Sequence, residues 1–117
     1  MGSYQYNTIS FLSDYGTKDE FVGVVKSVIH SLVKDVSIID ITHGIKPHDI
    51  RAGGLALARA SQYLVPGVVL AIVDPGVGSD RRGVAIEVNN GQYIFVGPDN
   101  GLLALAIAMV GEVTQAV

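Results

Sequence analysis

Apolar residues along this chain fall first in a strand pattern, then in a helical one, and the two patterns keep alternating. Residues 8–12, Thr-Ile-Ser-Phe-Leu, read as a short strand that stops at Ser13-Asp14-Tyr15-Gly16. A helix follows. From Phe21 the apolar positions Val24, Val25, Val28, Ile29 and Leu32 share one face, with Lys26, Ser27, His30, Ser31 and Lys34 on the other. Thr17 and Glu20 have capping-box spacing, and Asp19 and Glu20 set negative charge at the positive end of the helix dipole. Residues 36–42 form a second strand. A second helix begins near His48-Asp49 and runs to about Leu64, where Pro66-Gly67 ends it. Within it, Gly53 and Gly54 cost roughly 1 kcal/mol each relative to alanine, so close helix packing or approach of a ligand is expected there.

Residues 68–73 are six consecutive apolar residues, rich in valine and isoleucine, the signature of a strand buried on both faces. Strand, helix, strand, helix, strand implies a parallel sheet joined by right-handed crossovers. Beyond Asp74 the texture changes: segments 83–88 and 92–96 flank Asn89-Asn90-Gly91, a hairpin signal. Pro98-Asp99-Asn100-Gly101 turns into a helix at about 102–110, and residues 112–117 look like one more strand. The predicted fold is an α/β domain, a three-layer α/β/α arrangement with a mainly parallel central sheet. At 117 residues it fits one domain, since typical domains hold about 100–150 residues.

Composition narrows the partners. The chain is 49% hydrophobic and only 16% charged, against about 25% charged in ordinary soluble domains. Part of its outer surface is therefore expected to be covered, by another subunit or a further domain. Eight basic against 11 acidic residues give a net charge of −3, with no basic run longer than Arg81-Arg82, so the footprint of a nucleic-acid binder is missing. The absence of cysteine excludes disulfides, thiolate zinc sites and a cysteine nucleophile. No segment approaches the ~20 apolar residues of a membrane span, and the N-terminus lacks a basic flank with a long apolar run. A cytoplasmic protein without membrane contact is expected.

Three predicted strands end in carboxylates: Asp14 after the first, Asp40 near the end of the second and Asp74 after the third. In a parallel sheet these ends share one edge, which is where open α/β sheets bind ligands. Clustered carboxylates repel one another unless a cation answers them, so the edge favours a positively charged ligand, a metal or a nearby arginine such as Arg81 or Arg82. His43 and His48 flank Gly44-Ile45-Lys46-Pro47, but with Asp40 their spacing fits no common metal motif. His30 lies on the polar helix face, as a solvated residue would. Gly76-Val77-Gly78 offers part of a dinucleotide loop, yet a loop and strand follow where that motif demands a helix.

Four segments, SDYGTKDEFVGVVKSVI (13–29), VSIIDITHGIKPHDIRAG (36–53), VVLAIVDPGVGSDRRGVAIE (68–87) and YIFVGPDNGLL (93–103), together resemble the N-terminal domain of the S-adenosylmethionine hydroxide adenosyltransferases. These are relatives of the fluorinase and chlorinase. The resemblance implies hydrolysis of S-adenosylmethionine (SAM) to adenosine and L-methionine, by attack of water or hydroxide on C5′. It implies that Asp14 holds the ribose hydroxyls and that Asp19 receives the methionine ammonium. Asp74 and Arg81 are similar to two members of the family's Asp-Arg-His set around the attacking water. His48, in Pro47-His48-Asp49, matches a stretch lining the ribose side, and Asn100 falls in the loop near the nucleoside. No metal or separate cofactor is implied, and a homotrimer is.

In the halogenases the position of Asp74 resembles a tyrosine, and a carboxylate there would repel a halide, so hydrolysis is favoured over halogenation. The family's histidine falls beyond residue 117, and none of His30, His43 or His48 stands at its position. Family members also carry a C-terminal β domain, so the chain is read as a fragment. The alternative is a shortened, non-catalytic relative that binds SAM or adenosine, or only assembles with other subunits.

Overall fold

A computed structural model describes residues 6–75 and 82–117. In chain order its elements are β1 (Thr8–Ser13), α1 (Phe21–Leu32), β2 (Ser37–Thr42), α2 (Ile50–Ser61), β3 (Gly67–Ile72), β4 (Gly83–Val88), β5 (Tyr93–Pro98), α3 (Ala104–Val110) and β6 (Val113–Ala116). The strands form one six-stranded sheet in the order β2-β1-β3-β5-β4-β6. β2, β1, β3 and β5 run parallel, while β4 is antiparallel to both β5 and β6. The sheet is therefore mixed and mostly parallel. Asn89, Asn90 and Gly91 adopt positive φ angles of 55°, 57° and 101° within the four-residue loop that joins Val88 of β4 to Tyr93 of β5, residue types that tolerate the left-handed region.

β3 buries Val69, Ala71 and, just past its end, Val73, whereas Leu70 and Ile72 on the opposite face are only half-buried. The expectation of full burial on both faces holds for one face. That face meets α2 and α3, whose Leu57, Ala58, Ala106 and Ile107 join Leu102, Leu103 and Phe95 in the core. Gly53 and Gly54 explain how α2 comes so close. A Cβ on Gly53 would lie 2.9 Å from Leu102 Cδ1, and one on Gly54 would lie 3.3 Å from the Leu102 carbonyl. Helix packing accounts for this glycine pair.

Of the three helices among the described residues, α1 and α2 begin at an aspartate. Asp49 is the N-cap of α2 and its carboxylate accepts the Ala52 N–H at 2.9 Å. At α1 the Thr17–Glu20 capping box does not form: Glu20 is the N-cap residue without a side-chain cap, and Asp19 Oδ1 accepts the Phe21 N–H at 3.0 Å. The shorter Asp19 side chain reaches the first amide from outside the helix, so the helix begins at Phe21, not one turn earlier. α1 is amphipathic as expected but contains no fully buried residue, and Phe21, Val24, Val28 and Leu32 are exposed. α2 ends at Ser61, three residues before the predicted Leu64. Among the described residues, no helix is long and apolar enough to cross a membrane.

Candidate active site

Parallel pairing puts two of the three strand-end acids at one sheet edge. Ser13 at the end of β1 is in register with Ile72 at the end of β3, and the Asp14 N–H donates to the Ile72 carbonyl at 3.3 Å. Asp14 thus leaves β1 beside Val73, and Asp74 follows one residue further along the strand that continues β3. Both side chains are half-buried. Both act on Tyr15: burial, then the negative charges of Asp14 and Asp74, push its phenol above the ordinary tyrosine value. Tyr15 in turn packs edge-to-face on Phe21, ring centroids 4.6 Å apart, and on Phe11 at 6.4 Å.

Asp14 is aimed by the loop before α2. Its Oδ2 accepts the backbone N–H of His48 at 2.6 Å. His48 stands in the left-handed region at φ 65° within a turn closed by Asp49 N–H to the Lys46 carbonyl. The contribution of His48 to this site is thus a main-chain donor, with its side chain exposed. Asn100 is also committed to the backbone. Its Nδ2 donates to the Val73 carbonyl at 2.9 Å and its Oδ1 accepts the Leu102 N–H at 3.0 Å. Asn100 therefore ties the β5–α3 loop to the residue before Asp74.

Asp40 does not join this edge. It pairs in register with Phe11, well inside β2, and its carboxylate is taken by Lys26 Nζ at 2.5 Å and His43 Nε2 at 2.7 Å. Burial opposes ionisation of Asp40, but the hydrogen bonds and charges of Lys26 and His43 outweigh it and hold the carboxyl below its usual range. Asp19 lies apart as well. It is exposed, and with Glu20, Gly23, Val24, Ser27, Val28 and Ser31 it lines an open groove of about 610 Å³ along α1. Arg81 and the Gly76–Gly78 segment lie outside the described residues. Arg82 lies 3.5 Å from the Asp99 carboxylate, and with Asp74 it lines a 250 Å³ cavity against Leu70, Ile72, Val96 and Pro98.

One arrangement escaped the sequence reading. Ser13 Oγ lies 2.6 Å from His43 Nδ1, and His43 Nε2 contacts Asp40. The order is that of a serine–histidine–aspartate triad, but Ser13 is 0% exposed, so no substrate carbon can reach its hydroxyl. The signal in the sequence is Asp40 and His43 three residues apart at a strand end, the spacing of a histidine that can turn back onto a carboxylate. Among the described residues, no group of three or more His, Cys, Asp or Glu side chains is gathered to hold a metal.

The fold is an α/β domain with a mostly parallel sheet, and Asp14 and Asp74 follow the strand ends at the edge where such sheets bind ligands. The comparison with known proteins is specific: residues 9–117 match the model of the SAM hydroxide adenosyltransferase N-terminal domain, and the chain belongs to that family. A curated (R)-S-adenosyl-L-methionine hydrolase from Salinispora tropica is 47% identical over 93% of this chain and 41% of its own length. A fluorinase from Actinopolyspora mzabensis is more distant, at 27% identity over 90% of this chain and 42% of its own. A crystal structure of an uncharacterized conserved protein from Thermotoga maritima superposes with a TM-score of 0.84 at 39% identity, covering 92% of this chain and 41% of that one. The chain spans about two-fifths of the length of the relatives it matches.

Proposed function

We propose that the protein hydrolyses S-adenosyl-L-methionine to adenosine and L-methionine, with this chain supplying the strand-edge half of the site. The observation that supports the reading is that Asp14 and Asp74 follow the ends of adjacent parallel strands and that both place negative charge on Tyr15. SAM bears a sulfonium and an ammonium, so a negative edge attracts it. The curated hydrolase at 47% identity supports the same substrate.

In this reading Asp14 holds the ribose hydroxyls, with one of its oxygens fixed by the His48 amide. Asp74 accepts a hydrogen bond or proton from the attacking water, and Arg81 orients that water. Asp19 receives the methionine ammonium. His48 and Asn100 act as positioning residues, one through its amide and the other through the Val73 carbonyl. The sulfonium departs as a neutral thioether, so the task is to desolvate the reactants and hold the water in line, about 3–3.5 Å from carbon. No metal or separate cofactor has a part in this chemistry. The carboxylate at position 74 would repel halide, which favours water over a halogenase reaction.

The same proposal includes a cytoplasmic homotrimer, a C-terminal β domain and α1 as the third layer of the fold. Crossovers from β1 to β2 and from β2 to β3 run in opposite directions along the sheet, and right-handed connections then place α1 and α2 on opposite faces. The second reading is a non-catalytic relative that binds SAM or adenosine at the same acidic strand ends, or only assembles with other subunits.

The test is incubation of the chain with SAM, measuring adenosine and methionine release alongside a calorimetric binding titration. Adenosine formed with equimolar methionine is the expected result. Tight binding without adenosine would leave the non-catalytic reading, and neither binding nor turnover would remove both ligand-based readings for this chain.

A further inference from the structure

The end of β1 is held by a hydrogen-bonded chain that the proposed chemistry does not use. It runs from Lys26 Nζ to Asp40 Oδ2 at 2.5 Å, from Asp40 Oδ1 to His43 Nε2 at 2.7 Å, and from His43 Nδ1 to Ser13 Oγ at 2.6 Å. Ser13 Oγ also accepts the Tyr15 N–H at 3.3 Å. Chemistry sets the direction of these bonds. An ionised carboxylate only accepts, so His43 Nε2 carries the proton toward Asp40. In the neutral ring Nδ1 is then the acceptor, and the Ser13 hydroxyl donates to it, keeping its lone pairs for the Tyr15 amide.

His43 has a second hold on the same turn: its own carbonyl accepts the Gly16 N–H at 2.8 Å. The turn is therefore tied to residue 43 on both sides of Asp14, at Ser13 and at Gly16. The ring is 6% exposed and packs edge-on to Phe11 at 4.7 Å between centroids. Its orientation is thus set by packing as well as by hydrogen bonds. The other anchor of Asp14, the His48 amide, acts on the carboxylate itself.

We propose that His43 is a positioning residue: anchored on Asp40 and relayed through Ser13, it fixes the Ser13–Gly16 turn and with it the direction in which the Asp14 carboxylate meets its ligand. The ligand arm of this proposal rests on the SAM reading above, and the turn arm does not.

The experiment is residue-resolved amide hydrogen exchange on the chain, paired with SAM titration, for the parent, His43→Leu, His43→Asn and Ser13→Ala. Asparagine places an acceptor near the position of Nδ1 and keeps the Ser13 contact, whereas leucine removes it. His43→Leu is expected to speed exchange at Tyr15, Gly16 and His48 at least tenfold, with Phe95 in β5 unchanged, and to weaken SAM at least tenfold. His43→Asn restores both to within about threefold of the parent. Ser13→Ala, which removes a single buried hydroxyl, reproduces the leucine pattern and decides the matter should His43→Leu not fold. Unchanged turn amides, acceleration spread evenly over all strands, or an asparagine variant no better than leucine would each overturn the proposal. If the parent itself does not bind SAM, the ligand reading fails, and the exchange pattern alone upholds or overturns the role of His43.

Discussion

The backbone amide of His48 donates to the Asp14 carboxylate at 2.6 Å, joining the end of β1 to the turn before α2. His48 reaches this position only with φ at 65°, where a side chain is strained and glycine is not. His48→Gly is accordingly expected to keep SAM affinity within about threefold and to leave stability unchanged or raised by up to about 1 kcal/mol. His48→Pro removes the N–H and forbids the angle, and it should lose binding. Calorimetric titration and thermal melts check both. A folded glycine variant without affinity would return the role to the imidazole.

In the proposed reaction Asp74 serves the attacking water and not ligand binding. In a catalytically active form of the protein, Asp74→Ala should lower kcat by about 10²- to 10⁴-fold, the usual contribution of a positioned base. SAM affinity should be retained within about tenfold. Turnover at the parent rate would remove Asp74 from the chemistry.

Tyr15 reports on the acidic edge. Burial, Asp14 and Asp74 raise its phenol above the ordinary value, so a folded Tyr15 binds its proton more tightly than an unfolded one. The stability linked to it is complete below the unfolded pKa near 10 and is lost as pH rises through the folded value. A ¹³Cζ NMR titration should place Tyr15 above a model tyrosine, and Asp74→Asn should move it partly back. No movement would mean that Asp74 does not face Tyr15.

At the acid end Asp40 behaves oppositely. Lys26 and His43 hold its carboxyl below its usual range despite the opposing cost of burial. Its contribution is therefore present above the unfolded pKa near 3.9 and disappears as pH falls through the lower folded value. Its side chain is 41% exposed and that of Lys26 is 31% exposed, which limits the pair to roughly 0.2–1 kcal/mol. Lys26→Met should cost that much at pH 7 in urea unfolding, and progressively less as pH falls through the folded value of Asp40.

Two glycines in two helices should respond in opposite senses. A Cβ on Gly53 would meet Leu102 Cδ1 at 2.9 Å and Val73 Cγ2 at 3.1 Å. Crowding of about 1–3 kcal/mol should then exceed the roughly 1 kcal/mol that alanine gains in a helix, for a net loss of stability. Gly23 in α1 has nothing within 4 Å of its Cβ position, so Gly23→Ala should stabilise by up to about 1 kcal/mol. Denaturant midpoints for the two variants test this.

Local pattern was enough to place every strand and helix described, because apolar period and turn chemistry act within a few residues. The apolar run at 68–73 and the Asn89-Asn90-Gly91 turn led to β3 and to the β4–β5 hairpin. Asp14 and Asp74 stand at strand ends in the sequence itself, so placing them at one sheet edge required only that the strands be parallel neighbours. Tertiary structure decided the rest. Asp40 reads as a third strand-end acid, yet its register against Phe11 and the approach of Lys26 and His43 turn it into a structural anchor. His48 and Asn100 read as ligand-side residues, and their contacts with Asp14 and Val73 arise from chain segments 34 and 27 residues away. Such pairings depend on register and loop path, which a one-dimensional pattern does not encode, whereas the alternation of apolar and polar residues is written in the order of the chain.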